Sequence, residues 1–423
     1  MWAYWLSLSA TLAAVCTGCA DRTAVQVQPR VGAWHLTLEL PDRAIPFRFE
    51  LDRRDSATWI ARIQNAAEAI EVSDIDLRHD TFLMRMPLFD SEFRGVVRND
   101  SLIEGFWHNH LKGPDYRIPF RAVAGDHDRF AGPADGRGAF AGTWETHFNK
   151  GAKDSYDAIG LFEQQPGGTV TGTFVTETGD YRYLEGTVHQ DSMQLSCFDG
   201  SHAFLFAARL HGDSMVGRFW SGSHWQEPWV AYRNSAYQLR DPDSLTFLKE
   251  GYDMADFSFP DLDGKPVSPR DKRFRGKVLM LQVMGSWCPN CVDETMVLKD
   301  LPTAYADQGL AVIALAFEKY ADADAAVVGL RRFKQTLGIE YPIVYAGMAS
   351  KEQAAEKLPF LNHLMSYPTC VFVDRTGKVR RIRTGFYGPS TGQHYVNYTR
   401  NLRTFVEQLL AEPVPELAAL GSH

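Results

Sequence analysis

The spacing of apolar residues changes once along this chain, near Gly251, and that change fixes what the chain can fold into. Before it the residues alternate. Trp34, Leu36, Leu38 and Leu40 fall on one face of a strand, while His35, Thr37 and Glu39 fall on the other. Turn residues recur, as in Asp42-Arg43, Gly167-Gly168 and Asp199-Gly200, so Val31 to about Arg233 reads as antiparallel β structure. After Gly251 the largely apolar runs Val278 to Met284, Leu310 to Phe317 and Thr369 to Val373 suit central strands, and Ala321 to Leu337 and Tyr395 to Leu410 have helical spacing. Strands that alternate with helices predict an α/β sandwich with a mostly parallel sheet. A length of 423 residues accommodates several cores, and 45% apolar with 23% charged residues is the composition of a folded chain. The expected organisation is multidomain, with residues 1–19 an export signal, 20–30 a linker, 31–124 and 139–235 two β units, 251–412 the α/β domain and 413–423 a tail.

The all-β region repeats itself. Gly32-Ala33-Trp34 answers Gly142-Thr143-Trp144, Asp80-Thr81 answers Asp191-Ser192, and Phe89-Asp90 answers Phe198-Asp199. Asp100-Ser101 with Phe106-Trp107 answers Asp213-Ser214 with Phe219-Trp220, and Pro119-Phe120-Arg121-Ala122 answers Pro228-Trp229-Val230-Ala231. The order is kept throughout, which predicts two similar units joined by the Gly/Pro/Asp-rich stretch Val123 to Gly138. Trp220, Trp225 and Trp229 pack in the core or form an aromatic platform. His108 and His110 share a strand face without a third ligand at a recognised spacing, so no metal site is expected. Cys197 reads as a small buried hydrophobe.

The first fifteen residues are almost wholly apolar or small and run into Cys16-Thr17-Gly18-Cys19. That stretch is too short to span a bilayer and predicts export. Its ending resembles a bacterial lipobox, which makes Cys19 the lipidated first residue of a protein anchored in the cell envelope or periplasm; a plain signal peptide and an uncleaved anchor are the alternatives. A net charge of −8 without basic runs argues against nucleic acid as a partner. Cys197, Cys288, Cys291 and Cys370 are too few for a disulfide framework, so the close pair reads as reactive.

A C-x-x-C pair serves a metal or a redox couple, and no second pair or histidine set accompanies this one. It closely follows the strand Val278 to Met284 and opens a helix. Cys288 therefore sits where free N–H groups and the helix dipole favour a thiolate, with an expected pKa below the roughly 8.5 of a free thiol. Cys291, one turn inward, is the shielded partner. No metal and no cofactor is needed.

The segment Gly285-Ser286-Trp287-Cys288-Pro289-Asn290-Cys291 resembles the thioredoxin superfamily, and its surroundings from about Asp256 to Leu410 resemble the TlpA/ResA branch of exported redox proteins. The resemblance implies an active-site carboxylate at Glu294 and a cis-proline loop at Tyr367-Pro368-Thr369. It places Gln282 where thioredoxin carries a buried aspartate. It makes Cys288, Cys291 and Glu294 the catalytic set, and Trp287, Tyr367, Pro368 and Thr369 the groups against the substrate. Cys370 points into the core beneath the site or acts as a third redox thiol. The implied activity is an exported thiol–disulfide oxidoreductase that reduces protein or small-molecule disulfides and draws electrons from a membrane or periplasmic donor. Two other readings stand beside it. One is a peroxiredoxin, which shares the approach Asp263-Gly264-Lys265 to Gly276-Lys277 but expects threonine where Gly285 stands. The other is a binding lipoprotein with an accessory redox domain. The glycines of Thr384 to Gly392 predict a shaped loop before the last helix.

Overall fold

The computed structural model describes residues 27–55, 58–132, 134–320 and 322–414; the expected export signal with Cys16 and Cys19 lies outside them. The alternating pattern produces two antiparallel sheets, each curled on itself. In the first, nine strands run from Gly32–Leu40 to Arg117–Ala124, and its two edges are the consecutive strands Glu68–Val72 and Asp74–Arg78. In the second, Tyr156–Gln164 pairs with both Gly142–Phe148 and Thr169–Thr176, which closes a barrel and removes its edges. Aromatic side chains fill that barrel, with Phe148, Phe174, Phe206, Phe219 and Trp229 in mutual ring contact.

The repeat is visible in geometry. Trp34 Nε1 donates to the Arg30 carbonyl at 3.0 Å and Trp144 Nε1 to the Phe140 carbonyl at 2.8 Å, each reaching back four residues. Gly32 and Gly142 share a positive φ of 115° and 114°, a conformation that favours glycine. The N–H of Val97 bonds to the Asp80 carbonyl and that of Leu210 to the Asp191 carbonyl, both at 2.7 Å. One matched pair is corrected. Gly105 faces Phe120 and Gly217 faces Trp229, so buried Trp107 corresponds to buried Phe219, not to Trp220. A register irregularity between Val97 and Asn99 absorbs one residue, and a slip of one residue exchanges the faces of a strand.

The units are packed together. Phe198 of the second stacks on Phe47 of the first at 4.6 Å and belongs to its core. Arg129, from the connecting stretch, is buried between them and donates to the Gln64 carbonyl, Ser196 Oγ and Glu185 Oε2 at 2.6, 3.1 and 3.0 Å.

The apolar runs after Gly251 form the strands Val278–Met284, Leu310–Glu318 and Thr369–Val373 of a five-stranded sheet. The sheet is mixed, not mostly parallel. Val278–Met284 runs parallel to Leu310–Glu318 and antiparallel to Thr369–Val373, and Thr369–Val373 turns at Gly377 into its antiparallel hairpin partner Val379–Thr384. Helices Pro289–Leu298, Ala323–Leu337 and Gln393–Ala411 accompany it, the last burying Tyr398, Leu402, Val406, Leu409 and Leu410. This is a thioredoxin fold. Among the described residues no helix is long and apolar enough to cross a membrane.

Candidate active site

The site begins where Val278–Met284, buried along its whole length, ends and the chain turns through Gly285. A Cβ on Gly285 would lie 2.2 Å from Trp287 Nε1, so glycine is needed for the indole to fold back. That indole donates to the Phe317 carbonyl at 2.9 Å. Cys288 is the N-cap of helix Pro289–Leu298 and is extended, and Pro289 fits the first helical turn because its missing N–H costs nothing there. Cys288 Sγ accepts the N–H of Cys291 at 3.2 Å and lies 3.5 Å from the Tyr367 carbonyl oxygen. The two cysteines are joined as a disulfide with Cα atoms 5.2 Å apart. Cys288 retains 6% exposure and Cys291 none, so one sulfur faces the outside and the other is shielded.

The sequence-predicted residues converge here. The Tyr367–Pro368 bond is cis, Tyr367 meets Trp287 edge to face at 5.5 Å, and the Thr369 hydroxyl turns away to the Ser366 carbonyl at 2.9 Å. Glu294 is fully buried beneath the pair. Tyr398 Oη donates to its Oε1 at 2.8 Å and Gln282 Nε2 to its Oε2 at 2.9 Å. Burial pushes this carboxyl up to about 7, against the pull of both hydrogen bonds. Cys370 is buried in the same core as Cys288 and Cys291, and burial pushes its thiol up. Cys197 is buried in the second barrel.

Two groups escaped the sequence reading. Glu318, the last residue of an otherwise apolar strand, is buried and accepts the N–H and hydroxyl of Ser286 at 2.8 and 2.7 Å; burial raises it to about 7. Lys319, the next residue, places its ammonium 3.8 Å from the centroid of the Trp287 ring. A carboxylate closing an apolar strand was the available signal.

The β units reach the site directly. Ser201 Oγ donates to the Trp287 carbonyl at 3.2 Å, and Asn290 Nδ2 donates to the Asp180 carbonyl at 3.4 Å. Gly179, at φ 153°, permits this approach, since a Cβ there would lie 1.9 Å from Asn290 Nδ2. The Asp180 carboxylate takes the Gly388 N–H at 2.6 Å and the Ser390 hydroxyl at 3.1 Å, so the glycine-shaped loop before the last helix is the seat for this hairpin. Arg182 is the common counter-ion of Glu68 in the first unit and Asp293 in the redox helix. Between the mouth of the second barrel and the motif remains a cleft of about 630 Å³, bordered by Lys112, Tyr181, His224, Asn290, Lys319 and Met365 among others. Trp225 lines it, half-exposed, whereas Trp229 is core. His110 lies against Glu92, and the described residues hold no group of three or more metal-ligating side chains.

The AhpC/TSA family model matches residues 251–382. The thioredoxin-like protein YneN of Bacillus subtilis (strain 168) is 30% identical over 138 residues, 33% of this chain and 73% of that protein. The thiol-disulfide oxidoreductase ResA of Bacillus anthracis is 26% identical over 132 residues, 31% of this chain and 68% of that protein. Among solved structures, a thiol:disulfide interchange protein of the thioredoxin family from Chlorobium tepidum TLS is 19% identical, with 38% of this chain and 99% of that chain covered and a TM-score of 0.29.

Proposed function

The chain belongs, through its C-terminal α/β domain, to the TlpA/ResA-like thioredoxin-fold family of thiol–disulfide oxidoreductases, and on that footing we propose that it reduces protein disulfides outside the cytosol through Cys288 and Cys291. The observation that carries the reading is the position of Cys288 Sγ, at a helix N-terminus, hydrogen-bonded by the Cys291 N–H and placed beside the Tyr367 carbonyl. From the reduced pair, the Cys288 thiolate attacks a substrate disulfide. A mixed disulfide forms and one substrate sulfur leaves as a thiolate. Cys291 gives its proton to Glu294 and attacks Cys288, which releases the second substrate sulfur and leaves the Cys288–Cys291 disulfide. The substrate gains two electrons and the enzyme loses two; an upstream donor of the cell envelope restores the dithiol. Trp287 and the Tyr367-Pro368 turn form the rim against which the substrate chain lies, and Thr369, buried behind the turn with its hydroxyl on the Ser366 carbonyl, holds it in place. No cofactor takes part.

The proposed domains remain those of the sequence, with residues 31–124 and 139–235 as β units whose hairpins shape access to 251–412. Their contacts at Trp287 and Asn290 favour recognition over simple spacing. Export with lipidation at Cys19 completes the proposal, and acyl labelling that disappears in Cys19→Ala tests it. The AhpC/TSA match keeps a peroxidase in view, but Trp287 fills the space that a threonine at position 285 would need.

The deciding assay is insulin reduction by the full chain with a dithiol donor, with peroxide consumption measured alongside. Cys288-dependent insulin turnover is expected. Turnover that persists in Cys288→Ser, or peroxide consumption in place of insulin reduction, overturns the reading.

A further inference from the structure

The strand Leu310–Glu318 breaks its own pattern in its last residue. From Val312 to Phe317 every side chain is apolar and buried, and Glu318 then places a carboxyl group in the same core with no exposed surface. An apolar residue would continue that core at no electrostatic cost. The carboxyl instead gives up its hydration, and burial holds it up to about 7 against the pull of its hydrogen bonds. Departures of this kind from local pattern concentrate at functional sites. The chemistry of Cys288, Cys291 and Glu294 leaves this second buried carboxyl unused.

Both oxygens of Glu318 go to one residue. Oε1 accepts the N–H of Ser286 at 2.8 Å and Oε2 accepts its hydroxyl at 2.7 Å. Ser286 stands two residues before Cys288, inside the turn that the Cys288 N–H closes on the Gly285 carbonyl at 3.1 Å. The neighbours of Glu318 grip the same turn. The Phe317 carbonyl takes the Trp287 indole N–H at 2.9 Å, and the Lys319 ammonium rests on the Trp287 ring. The Phe317 ring also meets Tyr367, with centroids 5.9 Å apart, so one strand end backs both the approach to Cys288 and the cis-proline turn. What this arrangement fixes is the place of a sulfur. Cys288 Sγ owes its stability as a thiolate to the helix N-terminus and to the Cys291 N–H at 3.2 Å, and a hydrogen bond weakens steeply with distance and angle. The aim of that sulfur depends on how residues 285–287 lead the chain into the helix.

We infer that Glu318 is a positioning residue for the redox reaction: through its two bonds to Ser286 it holds the turn before the helix so that the Cys288 sulfur stays on the Cys291 N–H. The inference rests on the oxidoreductase reading for its purpose, although the acidity of Cys288 reports it without any substrate. The role belongs to bond geometry rather than to charge. Glutamine fulfils it, since its oxygen accepts the Ser286 N–H and its NH2 group donates to the hydroxyl, whereas leucine fills similar space and leaves the Ser286 N–H stranded. Lys319 and the phenols of Tyr320, Tyr345 and Tyr367 are ionisable groups that sense the Glu318 charge, and both replacements remove that charge alike.

Thiol acidity separates positioning from mere stability. The reduced full chain, as wild type, Glu318→Gln, Glu318→Leu and Ser286→Ala, is alkylated with iodoacetamide across a pH series, with Cys288 labelling followed by mass spectrometry and folding by urea unfolding. In Glu318→Leu the Cys288 inflection is expected to rise by about one pH unit or more, the tenfold that one hydrogen bond to a charged group is worth. Ser286→Ala, which keeps only the N–H bond, should rise by part of that, and Glu318→Gln should restore the wild-type inflection. An unchanged inflection in Glu318→Leu overturns the inference whatever happens to its unfolding midpoint. So does an equal shift in Glu318→Gln and Glu318→Leu, which assigns the effect to charge. Should Glu318→Leu not fold, Ser286→Ala decides: a rise supports the inference and a wild-type inflection overturns it. Insulin reduction run in parallel keeps the two claims apart: inflections that move as expected in a chain without Cys288-dependent turnover remove the oxidoreductase reading alone.

Discussion

Replacing Glu294 by glutamine isolates the buried carboxyl under the disulfide. Glutamine keeps an oxygen for Tyr398 and fills the same volume, while its NH2 group meets the Gln282 amide, which must turn over to accept from it; a pH-independent offset from that exchange is separate from the pH-dependent loss of ionisation. Burial holds the folded carboxyl at about 7 against 4.5, which corresponds to roughly 3 kcal/mol between its protonation states. The sign follows from linkage. Below 4.5 the group is neutral folded and unfolded; between 4.5 and 7 the unfolded chain ionises first, and wild-type stability falls as pH rises through that window. The glutamine variant lacks that loss. Urea unfolding of both proteins should show the variant gaining on wild type by up to about 3 kcal/mol between about pH 4 and pH 8. Single-turnover kinetics should show release of the second substrate thiol slowed by about a hundredfold or more, as loss of a general base implies, with the inflection near 7 abolished. A stability difference independent of pH, or an unchanged resolving step, would refute the assignment of this proton to Glu294.

Three further outcomes test the surrounding architecture. Arg182→Met leaves Glu68 and Asp293 without their shared counter-ion and should cost about 3–5 kcal/mol by urea unfolding. Gly179→Ala, with its Cβ driven onto Asn290 from a strained φ, should cost roughly 1–3 kcal/mol and raise KM for insulin. Trp34→Phe and Trp144→Phe each strand one carbonyl and should destabilise by similar amounts, about 1–3 kcal/mol apiece; a large inequality would argue against equivalent roles in the two units.

Local pattern made the α/β domain legible. The strand Val278–Met284 has the expected bounds because every residue in it is buried, and the last helix follows from the apolar stripe through Leu402, Val406 and Leu409. Glu294 was reached through the family resemblance, which implies a carboxylate three residues after Cys291. The direction of Thr369–Val373 was not legible, since an apolar run looks alike in parallel and antiparallel neighbours. Nor was the one-residue slip near Val97, because Phe106-Trp107 and Phe219-Trp220 match as letters while their side chains exchange faces. Arg182 and Lys112 reach the site from 111 residues before Asp293 and from the other β unit respectively, and no local period encodes contacts that arise only when three bodies pack.

The central claim concerns the acidity and the partner of one sulfur, and alkylation reads both. The reduced full chain is treated with iodoacetamide across a pH series and the modified cysteine identified by mass spectrometry. Among the cysteines of the described residues, Cys288 alone is expected to react rapidly, with an inflection below the roughly 8.5 of a free thiol, while Cys291, Cys197 and Cys370 stay silent and oxidation protects Cys288 through its disulfide with Cys291. An inflection at the ordinary thiol value, or equal labelling of Cys288 and Cys291, would contradict the account.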